Sequence, residues 1–525
     1  MADLLLRDVR LVALDALDHP EGVGAPGDHA GDAAKGRSGA APEPVDVLIT
    51  NGTIAEVGPR IEGGHGIPEV DGGGRWAMPG LWDHHVHVQQ WGLTRSRLDT
   101  SGVRSVADAQ ELVRHRLTSP LPATGAVIGW GHRCATWDVQ PTVAALDEVS
   151  TTVPIILISG DGHHGWLNTR ALELLRARRT EDVLLEDEWF AVYDRMSELP
   201  GAVAEADRGL EQALTDALGL GVVGLTDLEF GQPWEQWRHR KAEGLPLVRA
   251  RVGVYPDGLD AVIEAGLRTG DLVSGTLGLV TMGPLKIISD GSLNTRTAWC
   301  CEPYADGGDL EHPRGAANLS ADKLTELLTR AQQHGLEVAL HAIGDAAVHQ
   351  ALETFAATGA VGGIEHAQLV STADLEVWRR LPVRASVQPA HLLDDRVVTE
   401  QCWPDRTDRT FSLRTFLDQG IEVVLGSDAP VSPLDPWLAM AAAVHRGPTD
   451  APAWHPEQAL TLREALACSV DGQRVAAGGR GDVVLLDVDP LATRGHPTEV
   501  QADALRAMSV SATIVDGSLA SGDLG

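Results

Sequence analysis

The sequence predicts an α/β protein built on a (β/α)8 TIM-like barrel, with a small β-sandwich domain assembled from both chain ends and an insertion after the first barrel strand. Three observations carry this expectation. Short apolar runs alternate with helix-period segments through the middle of the chain, the pattern of a parallel sheet covered by helices. Both ends read instead as strands punctuated by tight turns. Polar residues of unusual type fall at the ends of several apolar runs, where barrel proteins carry their chemistry.

Taken in order, Asp3 to Leu14 alternates apolar and polar positions, and Val45 to Val57 repeats the pattern around the turn Asn51-Gly52. His19 to Pro44, between them, is rich in Gly, Ala, Pro and Asp and is expected to be a loop without a core. Asp482 to Asp487 and Met508 to Val515 are the matching strands at the other end, the second followed by Asp516-Gly517. The expected β domain therefore combines 1–77 with 475–525, around a barrel of 78–474. The eight barrel runs are Leu81 to His87, Val222 to Asp227, Val248 to Val254, Pro284 to Ser289, Val338 to His341, Gly363 to His366, Val383 to Val387 and Val423 to Gly426. Two further runs, Ala126 to Trp130 and Ile155 to Ser159, are assigned to a subdomain inserted over 93–215. The alternative places all ten runs in one open sheet.

A chain of 525 residues suits one large domain plus something smaller. Its 43% hydrophobic content can fill a sizeable core. A net charge of −32 and a pI near 4.9 repel phosphate backbones, so nucleic acid is not an expected partner. The five cysteines show no CxxC pair, and adjacent Cys300 and Cys301 are too close for a relaxed disulfide. This fits a reduced cytoplasm and excludes a cysteine zinc cluster. Leu4 to Leu6 is the only apolar run near the start, so neither a signal peptide nor a membrane span is expected. A homodimer is expected only from the general frequency of that state.

His85-Val86-His87 closes the first run. Residues two apart on a strand share a face, so both imidazoles can meet one ion inside the barrel. Lys286, His341, His366 and Asp428 then occur at or near the ends of later runs. One such residue could be a satisfied core side chain; several at equivalent strand ends are hard to read as packing, because isolated buried charge is costly. Imidazole and carboxylate suit zinc, manganese or iron. Lysine occurs only at Lys35, Lys241, Lys286 and Lys323 among 42 basic residues, so a lysine in an apolar run needs a chemical reason that arginine cannot meet.

The segment Met78 to His87, MPGLWDHHVH, resembles the first-strand motif of the amidohydrolase superfamily. KIISDGSLNTRTA (Lys286 to Ala298), HAIGDAAV (His341 to Val348), IEHAQLV (Ile364 to Val370), SVQPAHLLDD (Ser386 to Asp395) and LGSDAPVSPLDP (Leu425 to Pro436) are similar to amidohydrolase family 3. These are the YtcJ-like proteins, a branch that includes N-substituted formamide deformylase. GWGHRCATW (Gly129 to Trp137) and DGHHGWLNTRAL (Asp161 to Leu172) resemble blocks of that branch's insertion. The resemblance spans almost the whole chain. It implies metal ligation by His85, His87, His341, His366 and Asp428, and a CO2-derived carbamate on Lys286 bridging two metals. The other readings of Lys286 are an ion pair with Asp290 or contact with a substrate carboxylate.

The chain departs from the family at His84, where a small residue is usual, at Asn294, where glycine follows DGSL, and at Gly479-Arg480-Gly481-Asp482. His84 is then either a donor behind the ligands or an alternative ligand.

The expected activity is hydrolysis of a non-peptide carbon–nitrogen bond in a small amide by metal-activated water, with one or two zinc ions (manganese or iron being possible) and Asp428 as general base. The rival is a mononuclear deaminase or cyclic-amide hydrolase with unmodified Lys286. A metal-free binding scaffold should lack ligands, and none is missing. Candidate substrate contacts are His163, Trp130, Asp290, Arg296 and His391. Four have a plainer reading: a polar turn preceding the helix that starts near Asn168 for His163, insertion core for Trp130 and Trp137, neutralisation of acidic neighbours for Arg296, and a helix start for Gln388 and His391. Fourteen tryptophans against five phenylalanines make no single tryptophan diagnostic.

Overall fold

The computed structural model describes residues 3–14, 42–64, 66–94, 97–231, 233–242, 244–246, 248–308 and 310–523. The loop expected over His19 to Pro44 falls outside the described residues as far as residue 41.

Eight parallel strands form the central sheet: β1 (Leu81–Val86), β2 (Val222–Asp227), β3 (Arg249–Val254), β4 (Val280–Ile288), β5 (Val338–Ala342), β6 (Gly362–His366), β7 (Val383–Val387) and β8 (Val423–Leu425). Their order in space follows their order in sequence. β1 and the segment just after β8 meet through an isolated parallel bridge between Val86 and Ala429, which brings the barrel nearly to closure. Every residue of β1, β2, β5 and β6 is buried, as expected of strands covered on both faces. Helices form the outer layer. In Ala202–Gly219, Leu210, Ala213, Leu214 and Ala217 are buried at helical spacing, a single apolar stripe against the barrel core. Ala321–Gln333 begins at Ser320 and Pro436–His445 at Asp435, each side chain accepting from the first-turn backbone.

Ala126 to Trp130 and Ile155 to Ser159 do not join the barrel. They lie in a separate five-stranded sheet ordered Leu184–Leu185, His164–Leu167, Ile155–Ser159, Val127–His132, Leu98–Asp99. The ten-run open sheet therefore does not form. Two apolar clusters, one on Val127, Ile155, Leu157 and Trp166 and one on Ile156, Ile158, Leu167 and Trp189, pack this inserted sheet.

The two chain ends pair as expected. Leu4–Leu11 is the shared strand: Leu4 to Val9 pairs with Val45–Thr50, and Arg10 and Leu11 pair with Trp76 and Ala77. Trp76–Pro79 then pairs with Val483–Leu486, followed by Val510–Val515 and Ser518–Gly522. Leu6, Val47, Ile49, Val483, Leu485 and Ile514 share one core between the two halves of this folded sheet.

Candidate metal centre

The site begins where the barrel closes. The Asp428 N–H donates to the His85 carbonyl at 2.7 Å, and the His87 N–H to the Ala429 carbonyl at 2.8 Å. Asp83 Oδ1 ties the same two strands by accepting from the His85 N–H at 3.1 Å and the Ser427 N–H at 3.0 Å. Gly426 permits this approach, since a Cβ there would lie 2.8 Å from the His85 nitrogen. Asp428 (φ +57°) and His366 (φ +72°) occupy left-handed backbone, a conformation that costs a non-glycine residue energy and gathers at functional sites.

His85 Nε2 and His87 Nε2 each lie 3.3 Å from Asp428 Oδ1. Lys286 Nζ, on β4, is 3.2 Å from His85 Nε2. The His366 ring centroid is 5.1 Å from that of His85 and 4.5 Å from that of His341. His391 stacks on His366 at 6.1 Å, with Nε2 3.8 Å from Asp428 Oδ2. Two triads, His85/His87/Asp428 and His366/His391/Asp428, each bring their ligand atoms within 4.8 Å of one another. All six residues expected as ligands face one small cavity.

These residues fit a divalent cation. His87 Nδ1, His366 Nδ1 and His391 Nε2 are buried without a hydrogen-bond partner, a state that costs about 1–3 kcal/mol per group. Burial, reinforced by the Lys286 charge, holds His85 below the usual histidine value, and burial acts likewise on His341 and His366. Neutral imidazole is the ligating form. Burial alone would raise Asp428, but His85, His87 and His366 pull it well below the usual carboxylate value. Burial also lowers Lys286, which is 1% exposed and forms no ion pair among the described residues.

Behind the ligands, His85 Nδ1 lies 2.7 Å from Glu365 Oε2. Burial would raise Glu365, but His85 and Lys286 hold it down as a carboxylate. This fixes the proton on Nδ1 and directs the Nε2 lone pair inward. Glu365 and Asp83 were not singled out from the sequence. Glu365 carried a usable signal, the one that marked Lys286: a charged residue in an otherwise apolar strand.

The remaining candidates divide. Trp130 and His163 line the cavity of the ligands. His163 Nδ1 is 2.8 Å from Glu186 Oε2, and its ring centroid is 5.9 Å from that of His341. Burial opposes its charge, but Glu186 and Asp161 raise it to about 9. His391 lines an adjoining cleft with His366 and Asp428. Asp290 is fully buried beneath His341, accepting from the backbone N–H groups of Trp299, Ile343 and Gly344 at 2.9–3.0 Å. Its oxygens are thus engaged by the backbone and by His341, whose Nε2 lies 3.4 Å from Oδ1, and it forms no ion pair with Lys286 among the described residues. Arg296 turns to Asp306 at 2.8 Å and the Asn294 carbonyl. His84 points away from the ligands, its Nε2 3.8 Å from Asp471. Gln388 lies 3.4 Å behind His85 Nδ1. A larger cavity of about 560 Å³ adjoins the centre, sharing Gln90, Phe190, Phe230 and Tyr255 with it.

A nearly closed barrel with histidines and a carboxylate at the strand ends defines a class of hydrolases. The amidohydrolase family model matches residues 69–520, and the chain belongs to that family, whose members are hydrolases and generally metal-dependent. It is 25% identical to YtcJ of Bacillus subtilis (strain 168), covering 90% of this chain and 95% of that one. It is 24% identical to the N-substituted formamide deformylase of Arthrobacter pascens, covering 90% and 94%. An uncharacterised metal-dependent hydrolase from Pyrococcus horikoshii OT3 shares the fold, with a TM-score of 0.74 at 23% identity over 94% of this chain and 99% of that one. Among the described residues no helix is long and apolar enough to cross a membrane.

Proposed function

We propose that the chain hydrolyses a non-peptide carbon–nitrogen bond in a small N-acyl or N-formyl amide. The observation that carries this reading is the convergence of His85, His87, Lys286, His341, His366 and Asp428, from in or just beyond five different barrel strands, on one cavity. The deformylase named above acts, by its name, on N-substituted formamides, which supports the substrate class.

One or two divalent cations, zinc first and manganese or iron as alternatives, would be held by the four histidines and Asp428; a bound cation acidifies water and polarises a carbonyl. Asp428 takes the proton of the attacking water and returns it to the leaving nitrogen. Glu365 keeps His85 in one tautomer through this cycle. His163, which Glu186 and Asp161 raise to about 9, would donate to the oxygen on which charge develops. Lys286 is the site of the carbamate. A buried ammonium without a carboxylate partner is costly, whereas a carbamate is an anionic oxygen ligand.

The test is a screen of metal-reconstituted protein against N-formyl, N-acyl and cyclic amides, with elemental analysis of the same samples. Hydrolysis of open-chain amides that chelation abolishes is the expected result. Turnover that survives chelation would overturn the reading. Two metals per chain supports the Lys286 bridge; one metal supports the mononuclear deaminase or cyclic-amide hydrolase.

A further inference from the structure

The 560 Å³ cavity beside the metal centre holds a cation that the mechanism above does not use. Arg97 lines it and is 9% exposed. Its guanidinium carbon lies 5.3 Å from the Trp130 ring centroid and 5.6 Å from that of Tyr193. Nη2 donates to the Tyr193 hydroxyl at 2.9 Å. Nε and Nη1 are buried without a hydrogen-bond partner, and Arg97 forms no ion pair among the described residues. A buried guanidinium beside two rings with two idle donors is expensive unless something completes it.

The other groups on this wall do not. Glu229 is buried there, but its oxygens already accept from the Gln90 N–H, the Gln90 amide and the Phe230 N–H. Asp194 and Asp257 border the cavity as exposed side chains and Glu205 as a half-buried one, and among the described residues none of the three forms an ion pair with Arg97. Trp130 links the two spaces, since it stacks on Arg97 and also lines the cavity of the ligands. Phe190, Phe230 and Tyr255 form apolar walls common to both.

We propose that Arg97 binds a carboxylate of the substrate, so that the amides hydrolysed are N-acyl compounds carrying a carboxylate away from the scissile bond. The planar guanidinium offers such a group an edge made of Nε–H or an Nη1–H together with the second Nη2–H, and its contacts with Trp130 and Tyr193 restrict its motion. The apolar walls take the hydrocarbon between carboxylate and amide. This inference rests on the amide-hydrolase reading for the bond cleaved, but the anion site can be tested apart from it.

The probes are N-benzoylglycine and N-benzoyl-β-alanine, each beside its neutral carboxamide. Binding to zinc-loaded protein is measured by calorimetry and hydrolysis by steady-state kinetics, for wild type, Arg97→Gln and Arg97→Lys. At least one acid should bind about tenfold or more tightly than its carboxamide, the gap expected of a charge-assisted pair. Arg97→Gln should erase that gap, raising KM for the acid rather than lowering kcat, and Arg97→Lys should restore part of it. Equal binding of acid and carboxamide by wild type, or an unchanged gap in Arg97→Gln, would overturn the anion site even if amides are cleaved. Arg97-dependent binding of the acids without cleavage of any amide would uphold the site and overturn the amide reading instead.

Discussion

The barrel rim and the inserted sheet each gather three side chains whose ligand atoms lie within 4.8 Å: His85, His87 and Asp428 at the rim, His132, Cys134 and His164 in the insertion. Both groups are largely buried, and each contains a buried nitrogen without a hydrogen-bond partner, His87 Nδ1 and His132 Nδ1 respectively. Charge separates them. Asp428 brings a carboxylate between two imidazoles, and Lys286 stands beside them. The insertion cluster contains no carboxylate. His132 Nε2 and His164 Nε2 face each other at 3.1 Å, and Cys134 Sγ lies 3.4 Å from the same His164 nitrogen. Burial raises the Cys134 thiol to about 12 and lowers His132 to about 3, so the group is neutral and polar, packed under Trp137 and Trp166. Proximity of histidines is thus a weak sign of a metal; an anionic partner that offsets the cation is the stronger one.

The largest effect should follow from removing that anion. Asp428→Asn keeps the size of the side chain and takes away the base. Turnover of the best amide from the screen should fall by about 10²- to 10⁴-fold, with the circular dichroism spectrum unchanged. An Asn variant that turns over at the wild-type rate would mean that the rim carboxylate is not the base, and the contrast with the insertion would lose its chemical meaning. The second test concerns Lys286. Reconstitution in the presence of labelled bicarbonate should give a carbamate carbon signal by nuclear magnetic resonance in the wild type and none in Lys286→Ala, together with a lower metal content in the variant. Identical metal content with no signal in either protein would leave Lys286 an unmodified amine.

Glu365→Gln should act more gently. The amide still accepts from His85 Nδ1 but no longer carries the charge that raises ligand basicity, so metal affinity or activity should drop by about 10- to 100-fold. Titration of metal into chelator-treated protein reads this directly. Unchanged affinity would show that the carboxylate behind His85 only fills space.

Much of this contrast could be read from the sequence, for physical reasons. His85, His87, Lys286, His341, His366 and Asp428 interrupt apolar runs at strand ends, and strand periodicity says which way the first pair faces. Eight parallel strands and the pairing of the chain ends followed from the same alternation. What could not be read depends on groups distant in the chain. Asp290 looked like a cavity residue because it follows β4, but three backbone N–H groups from residues 299, 343 and 344 consume its oxygens. Arg296 is drawn to Asp306 through a loop whose path has no periodicity. Arg97 has no motif at all, and its idle donors appear only once the fold brings Trp130, from the inserted sheet, and Tyr193, from the helix Glu186–Asp194, beside it.

The smallest effect is expected in the insertion, and it bears most directly on the comparison. Cys134→Ser leaves the geometry of the side chain almost intact and places a hydroxyl where a thiol was buried. The cost should be confined to stability, about 1–3 kcal/mol for the poorer burial of the hydroxyl, less whatever the bond to His164 returns. Metal content per chain should not change, because the neutral cluster offers a cation no charge and a bound ion would first have to strip the proton from a thiol that burial holds near 12. Denaturant unfolding measures the first quantity and elemental analysis the second. Loss of one metal per chain in Cys134→Ser would make the insertion a second metal centre and remove the distinction drawn from charge.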